Sequence, residues 1–541
     1  MFFFFWRLDA YTLFDRTETE TAEVARQMWI SGDWITPVFN DIRYFDKPVL
    51  LYWLMGLGFQ LFGIGEWAVR LPSALFATAL ILATWQFGRT QLGARVALFA
   101  ATMLMANPFA FGLGRTGVTD MGLAFFIAAG LYCWYSSYAS GQKQGYLLCA
   151  ALLGGGVLIK GPIALLLPGL IVGIFLIYIG QLKAVVTTMP WVRGIGIIAA
   201  IALPWYVLVT QANGWIFLDK FFIHHNVDRF LNVIDNQPGP WYYYLLFTPA
   251  GFFPWIVFLF IALFRWGKWE WLSPRFWQSR SAVEQLPLFM GLWFVIVTIF
   301  LSTASTKLPH YIMPALPALA FLCAQAWEAE SEHSSKSTRL GLSFVALALT
   351  VLGVGFLVTL GFINDPALPE LRSRIEATGS PWILATACFL AALGNLLAAF
   401  RLQLQWAWGC SLGAFCVIFL TAINLLMPAL ETQVHGPLLD MASTFHKEVR
   451  PGDQPATLGV YAPSLNFYGQ INHIPVYEKR SQIINQLAHP ERLLLLTTES
   501  RLEKNQLDLS AFQPIHTSGI YRLYALPPGA VKASNKKENN R

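Results

Sequence analysis

The sequence predicts an α-helical, polytopic membrane protein of about 12–13 transmembrane helices with a small α/β module at its carboxyl end. Three observations carry this. Of 541 residues, 55% are hydrophobic and 13% charged, which excludes an ordinary soluble enzyme. Apolar stretches of spanning length recur from residue 72 to residue 430. Past residue 430 the composition turns to alternating, strand-like runs.

In chain order, the amino terminus MFFFFWRLDAYTLF precedes the polar run DRTETETAE. It is too short to cross a hydrocarbon core of roughly 30 Å, and Arg7 and Asp9 interrupt it, which argues against a cleaved signal peptide. A truncated first helix, or a start that lies upstream, is the expectation. Residues 48–63, PVLLYWLMGLGFQLFG, are apolar but short and glycine-rich, and are expected to lie at the interface rather than cross it. Spans are expected near residues 72–90, 94–113, 121–138, 145–160, 162–180, 191–209, 241–264, 286–303, 310–327, 340–362, 381–400 and 406–430.

Basic residues set the orientation. Alternate connections hold Arg89 and Arg95, Lys143, Lys183 and Arg193, Arg265 to Arg280, Lys336 and Arg339, and Arg401, and these are expected on the cytoplasmic side. The opposite set then faces outward: residues 15–71, the turns at Asp120, Lys160 and Lys307, the loops 210–240 and 363–380, and everything after 430. Counting 48–63 as a crossing would invert this alternation.

The module at 431–528 shows strand patterns in ATLGVYAPSLNFYGQ, RLLLLTTES and HTSGIYRLYAL and a helical piece in RSQIINQLA. The tail 529–541 has a disordered composition. All six cysteines fall in apolar runs with no CxxC pair, so neither a disulfide framework nor a zinc cluster is indicated.

Polar residues concentrate in the outward turns beyond what turn length needs. Asp15, Glu18, Glu20, Glu23 and Arg26 lie in the first, followed by Asp46 and Lys47. RTGVTD supplies Arg115 and Asp120, IKGP supplies Lys160, HHNVDRF supplies His224, His225, Asp228 and Arg229, and STKLPHY supplies Lys307, His310 and Tyr311. Ionisable groups at membrane depth are costly and mark function. Cations beside carboxylates at one leaflet suit a phosphate-bearing lipid substrate, with lysine and arginine neutralising phosphate and a carboxylate deprotonating an acceptor. Each has a structural alternative: a snorkelling Lys160, Asp120 as a helix N-cap, Glu18, Glu20 and Glu23 on a solvated helix face, and Asp46 paired with Arg43 or Lys47.

The run TETETAEVARQMWISGDWITPVFNDIRYFDKPVLLYW resembles the opening outward loop of the polyprenyl-phosphate-sugar-dependent GT-C glycosyltransferases related to 4-amino-4-deoxy-L-arabinose transferase and protein O-mannosyltransferases. The likeness continues through TDMGLAFF, IKGPIALLLPGL, HHNVDRF, PGPWYYYLL and STKLPHYIMPALPAL, covering roughly residues 13–330. The resemblance implies a GT-C-like fold and a base in the first loop. Thr17-Glu18 stands where the family has Asp-Glu, so Glu18 is the first candidate, Asp15 the second, and Asp120 a further catalytic carboxylate. It implies that Lys47 contacts the lipid phosphate and that Lys160, Arg229, Lys307 and Tyr311 line the donor cavity, with Arg26 and Arg115 as further substrate-binding cations. A divalent metal would be held by Asp46 with a histidine, His224 or, as the first choice, His225, because Gln237 replaces a histidine frequent in relatives. The implied partners are a polyprenyl-phosphate-sugar donor, a glycolipid or protein acceptor and membrane lipids. No nucleic acid is expected.

The expected activity is inverting sugar transfer at the periplasmic face of a bacterial inner membrane. A transporter or flippase using the same cations without chemistry is the rival, and it predicts polar groups on both faces. An oligosaccharyl or phosphoryl transferase is a second.

Overall fold

The computed structural model describes residues 2–228, 231–232, 237–332, 336–363, 368, 370–401, 403–479, 481–483, 491–505 and 512–526. Among these, seven helices are long and apolar enough to cross a bilayer: Glu66–Gln91, Trp191–Asn213, Leu286–Thr303, Pro309–Ser331, Lys336–Phe362, Ser380–Arg401 and Leu404–Val434. The chain is a multi-pass membrane protein. Shorter apolar helices occupy Leu50–Phe62, Ala94–Met105, Gln144–Lys160 and Ile163–Tyr178.

Two spans expected as single helices are each broken. Residues 94–113 form Ala94–Met105 and Pro108–Leu113, because Asn107 caps the second piece. Its side chain accepts the N–H groups of Phe109 and Ala110 at 2.9 and 3.1 Å, and Pro108 has no N–H to continue the first piece. Residues 241–264 form Tyr243–Gly251 and Ile256–Trp266, separated at Pro254. The 13-residue helix Leu50–Phe62 is too short to span.

The chain divides into two compact units. The first comprises Met1–Leu8, Phe45–Val358 and Pro381–Thr421. Its amino-terminal segment is tied down by two buried arginines. Arg115 donates to the carbonyls of Phe3, Trp6 and Arg7 at 2.8, 2.7 and 2.8 Å, and Arg70 donates to that of Leu8 at 2.7 Å. Carbonyls left by a chain too short to make a full helix thereby find donors.

The second unit gathers Asp9–Tyr44, Thr359–Ser380 and Ala422–Arg541. It holds the hairpin of β1 (Val38–Phe39) and β2 (Ile42–Arg43), and a mixed sheet of β3 (Gln454–Leu458), β4 (Val476–Tyr477), β5 (Leu493–Thr498), β6 (Gln513–Ser518) and β7 (Tyr521–Leu526). Sheet order is β4-β3-β5-β7-β6, with β3 parallel to β4 and β5, and β7 antiparallel to β5 and β6. Central β5 is buried on both faces. Leu494 and Leu496 join a cluster with Met441 and Phe445 of the helix Gly436–Glu448, while Leu493 and Leu495 pack with Ala456 and Phe512 on the other side. Most of the helical piece expected at RSQIINQLA and the whole of the tail 529–541 fall outside the described residues.

Candidate donor site

In the first unit, two helices end where the chemistry collects. Helix Gln144–Lys160 stops because Gly161 adopts φ +86°, a conformation that strains any side chain, and Pro162 follows. A Cβ on Gly161 would also meet the Phe221 ring at 2.9 Å. Lys160 is thus the last helical residue, and its Nζ donates to Asp120 Oδ1 at 2.7 Å. Asp120 lies in the first turn of the helix Thr119–Ser140, where the dipole favours an anion, yet the cap position belongs to Val118. Its side chain faces a lysine rather than its own helix end.

Two more elements close the site. Lys47, between β2 and Leu50–Phe62, pairs with Asp46 at 2.8 Å. The stretch 304–311 joins helix Leu286–Thr303 to the turn Pro309–Ala315 and is fastened by backbone contacts: Lys307 N–H donates to Gln237 O at 3.1 Å, and Pro238 bridges Thr306. Lys307 Nζ donates to Gly239 O at 3.0 Å and to Ala304 O, and desolvation holds its pKa below the usual lysine value. The Tyr311 ring lies 4.8 Å from Lys160 Nζ, a cation–π contact.

These pieces line a cleft of about 160 Å³. One wall is charged and polar, with Asp46, Lys47, Asp120, Lys160, Thr306 and Tyr311. The other is apolar, with Leu123, Ile163, Leu167, Phe300, Leu301 and Pro314. Two lysines, each matched to a carboxylate, can therefore meet a phosphate while a hydrocarbon chain runs along the opposite wall.

The structure brings five of the sequence-derived residues, Asp46, Lys47, Asp120, Lys160 and Tyr311, into one cleft, with Lys307 bonded to its rim. It also adds His310, to which the sequence assigns no role, whose Nε2 stands 3.9 Å from Asp120 Oδ1. Arg115 is placed otherwise, on the amino-terminal carbonyls and 1% exposed. Arg229 lies outside the described residues, as does the side chain of His225. No group of three or more His, Cys, Asp or Glu side chains gathers among the described residues, and Asp46 faces Lys47. Among the described residues, the donor set of this cleft does not fit a metal ion.

Glu18, Asp15 and Arg26 belong to the second unit. Glu18 is 1% exposed and accepts Phe14 N–H at 2.8 Å. Arg26 forms a buried two-bond pair with Glu23, at 2.6 and 2.7 Å, and reaches Asn472 Oδ1 at 3.0 Å. Burial raises the Glu23 carboxyl above its ordinary range, against the opposing pull of Arg26 and Gln27. Asp15 is half-buried, and both of its oxygens are bound by Ser464, from the N–H at 3.1 Å and the hydroxyl at 2.7 Å. Nothing in the local sequence signals Ser464, which is 449 positions away.

The chain is similar to known proteins over much of its length. A family model described as dolichyl-phosphate-mannose-protein mannosyltransferase matches residues 46–207. An undecaprenyl phosphate-alpha-4-amino-4-deoxy-L-arabinose arabinosyl transferase of Enterobacter sp. (strain 638) is 32% identical over 326 residues, 59% of this chain and 56% of that protein. One from Shewanella sediminis is 29% identical over 381 residues, 70% of this chain and 66% of that protein. The aligned region thus spans less than two thirds of the length of these curated relatives. The crystal structure of ArnT from Cupriavidus metallidurans bound to undecaprenyl phosphate superposes with a TM-score of 0.78 at 22% identity, covering 97% of this chain and 96% of that one. The fold is that of ArnT.

Proposed function

We propose that this chain, a membrane protein with the ArnT-like GT-C fold, is an inverting glycosyltransferase that moves a sugar from a polyprenyl monophosphate carrier to an acceptor. The observation that carries it is the cleft in which the Lys47–Asp46 and Lys160–Asp120 pairs, 2.8 and 2.7 Å apart, face an apolar wall. Lys47 and Lys160 neutralise the carrier phosphate, Tyr311 offers a hydroxyl donor to its oxygens, and the leucine-lined wall receives the prenyl chain.

An acceptor oxygen attacks the anomeric carbon as the bond from that carbon to the phosphate oxygen breaks. Polyprenyl phosphate leaves, its added charge met by the lysines, and the acceptor proton passes to a carboxylate. The loop charges support placing residues 15–71 on the periplasmic side of a bacterial inner membrane. The named relatives act from undecaprenyl phosphate-linked 4-amino-4-deoxy-L-arabinose, which makes that donor and a lipid A-like glycolipid the first pair to assay, with protein acceptors second.

The test is transfer from a synthetic polyprenyl-phosphate sugar by protein in nanodiscs. Wild type should release polyprenyl phosphate in step with glycosylated acceptor, and Lys160→Met should lower both together at subsaturating donor. Movement of intact donor between leaflets without bond cleavage would support the flippase instead.

A further inference from the structure

We infer that the first unit carries a second lipid site, at the far end of the two helices that hold Asp120 and Lys160. It takes a phospholipid whose headgroup bears hydroxyls, as phosphatidylglycerol does, independently of sugar transfer.

Asp120 lies in the first turn of the 22-residue helix Thr119–Ser140, and Lys160 ends the helix Gln144–Lys160. The chain reverses between them at Gly141, whose φ is +74°. At 1.5 Å per residue, Ser140 lies about 30 Å from Asp120, the thickness of a hydrocarbon core. The two ends of this helix pair therefore reach opposite headgroup levels of one bilayer. At the Ser140 end, the pair and the helix Glu66–Gln91 line a cavity of about 580 Å³, larger than the donor cleft.

One wall is a single face of Thr119–Ser140, on which Ala129, Cys133, Ser136 and Ser140 follow one another at helical spacing. Tyr132 fixes this wall to the next helix, stacked on Phe87 with centroids 4.5 Å apart and hydrogen-bonded to Thr84 at 3.1 Å. A serine in an apolar helix can donate to the carbonyl one turn back, as Ser140 does to Ser136 O at 2.7 Å. Ser137 does not. It is 2% exposed, it lines the cavity, and its hydroxyl has no hydrogen-bond partner among the described residues. Gly145 lets the two helices touch at this level, since a Cβ there would lie 2.5 Å from both Ser137 Oγ and Cys133 O.

The side chains of Gln86, Ser136, Gln142 and Gln144 also line the cavity and make no hydrogen bond among the described residues. Neutral amides and hydroxyls, with no charged residue lining the cavity, match hydroxyl groups, which both donate and accept. A bare anion would call for cations inside. The cations stand beside the cavity instead: Lys143 immediately precedes Gln144 at the start of its helix, and Arg89 precedes Thr90 in the last turn of Glu66–Gln91, both exposed. That helix start adds unpaired N–H groups and the favourable end of a dipole. A phosphate at the rim with hydroxyls directed inward satisfies both sets, and Ala83 and Leu148 offer apolar surface to an acyl chain.

The experiment is lipid retention by the full chain in mild detergent, read by native mass spectrometry after incubation with phosphatidylglycerol, phosphatidic acid or phosphatidylcholine. Phosphatidylglycerol should be retained at least ten-fold more tightly than the other two, which carry the phosphate without a polyol. Ser137→Ala removes one hydroxyl without adding volume and should weaken that retention about five-fold, while Ser136→Phe puts a ring into the cavity and should abolish it. Lys160→Met, at the other end of the helix pair, should leave it unchanged. If Ser136→Phe does not fold, Gln86→Leu at an exposed position replaces it and should add a further loss of about five-fold to that of Ser137→Ala. Equal retention of phosphatidylglycerol and phosphatidic acid would show charge alone at work. Retention unchanged in the cavity variants, or lost in Lys160→Met, would put the lipid elsewhere, and any of these results overturns the inference.

Discussion

Lys160 and Asp120, each at the end of its own helix and 40 residues apart in sequence, are joined by a 2.7 Å hydrogen bond inside the donor cleft. The lysine's charge is therefore matched before any substrate arrives, and a phosphate must compete with the carboxylate for it. Removing either partner should have opposite consequences for donor binding. Lys160→Met should raise donor KM about 10–100-fold, the loss of one charge-assisted contact. Asp120→Asn should leave KM level or lower it, because the competing anion is gone, while kcat falls as the ammonium loses its orientation. Steady-state kinetics on the two variants decides this, and a KM rise for Asp120→Asn equal to that of Lys160→Met would show the carboxylate touching the donor itself.

The apolar wall should read carrier length. Leu167 and Ala304 line it from two different segments, Ile163–Tyr178 and the residues after Leu286–Thr303. Ala304→Phe or Leu167→Trp fills space needed by the prenyl chain without touching the charged wall. Each prenyl unit that loses burial forfeits several methylene equivalents at about 0.8 kcal/mol apiece. Transfer from a long-chain carrier should then drop at least ten-fold relative to wild type, with transfer from a short-chain carrier changed about three-fold or less. Equal inhibition of both substrates would place the hydrocarbon elsewhere.

The Arg26–Glu23 pair predicts a pH-dependent stability defect. The Glu23 carboxyl is raised by burial, so its ionised form is the costly one; stability tied to this group is complete below the unfolded carboxylate range and declines as pH rises through the folded value. Arg26 offsets that cost at neutral pH. Arg26→Leu leaves a buried anion unpaired and should destabilise the protein by about 3–5 kcal/mol near pH 7. The defect should shrink toward pH 4, where Glu23 is protonated. Thermal melts across that range check the sign, and a defect independent of pH would contradict it.

The residues that hold the scaffold and those that face substrate look alike in sequence. Arg115 and Lys160 are both basic residues beside glycine in short turns, yet Arg115 binds the carbonyls of Phe3, Trp6 and Arg7 while Lys160 enters the cleft. Arg26, expected among the substrate cations, instead pairs with Glu23, three residues before it. His310 sits in the STKLPHY motif, but only the 3.9 Å approach to Asp120 gives it a part in the site.

Membrane class, the run of apolar helices, the break at Gly161-Pro162, and the small carboxyl-terminal module were readable from the chain alone, because hydropathy and helix termination depend on residues within a turn or two of one another. Tertiary structure alone decided which cations are consumed by carbonyls, that the Asn107 amide would reach the Gly251 carbonyl at 2.6 Å where one expected span divides, and that Ser464 would grip Asp15 from 449 positions away. Such partners are chosen by burial, where an unpaired polar group costs more than the chain entropy needed to bring a distant donor to it, and no local pattern records that choice.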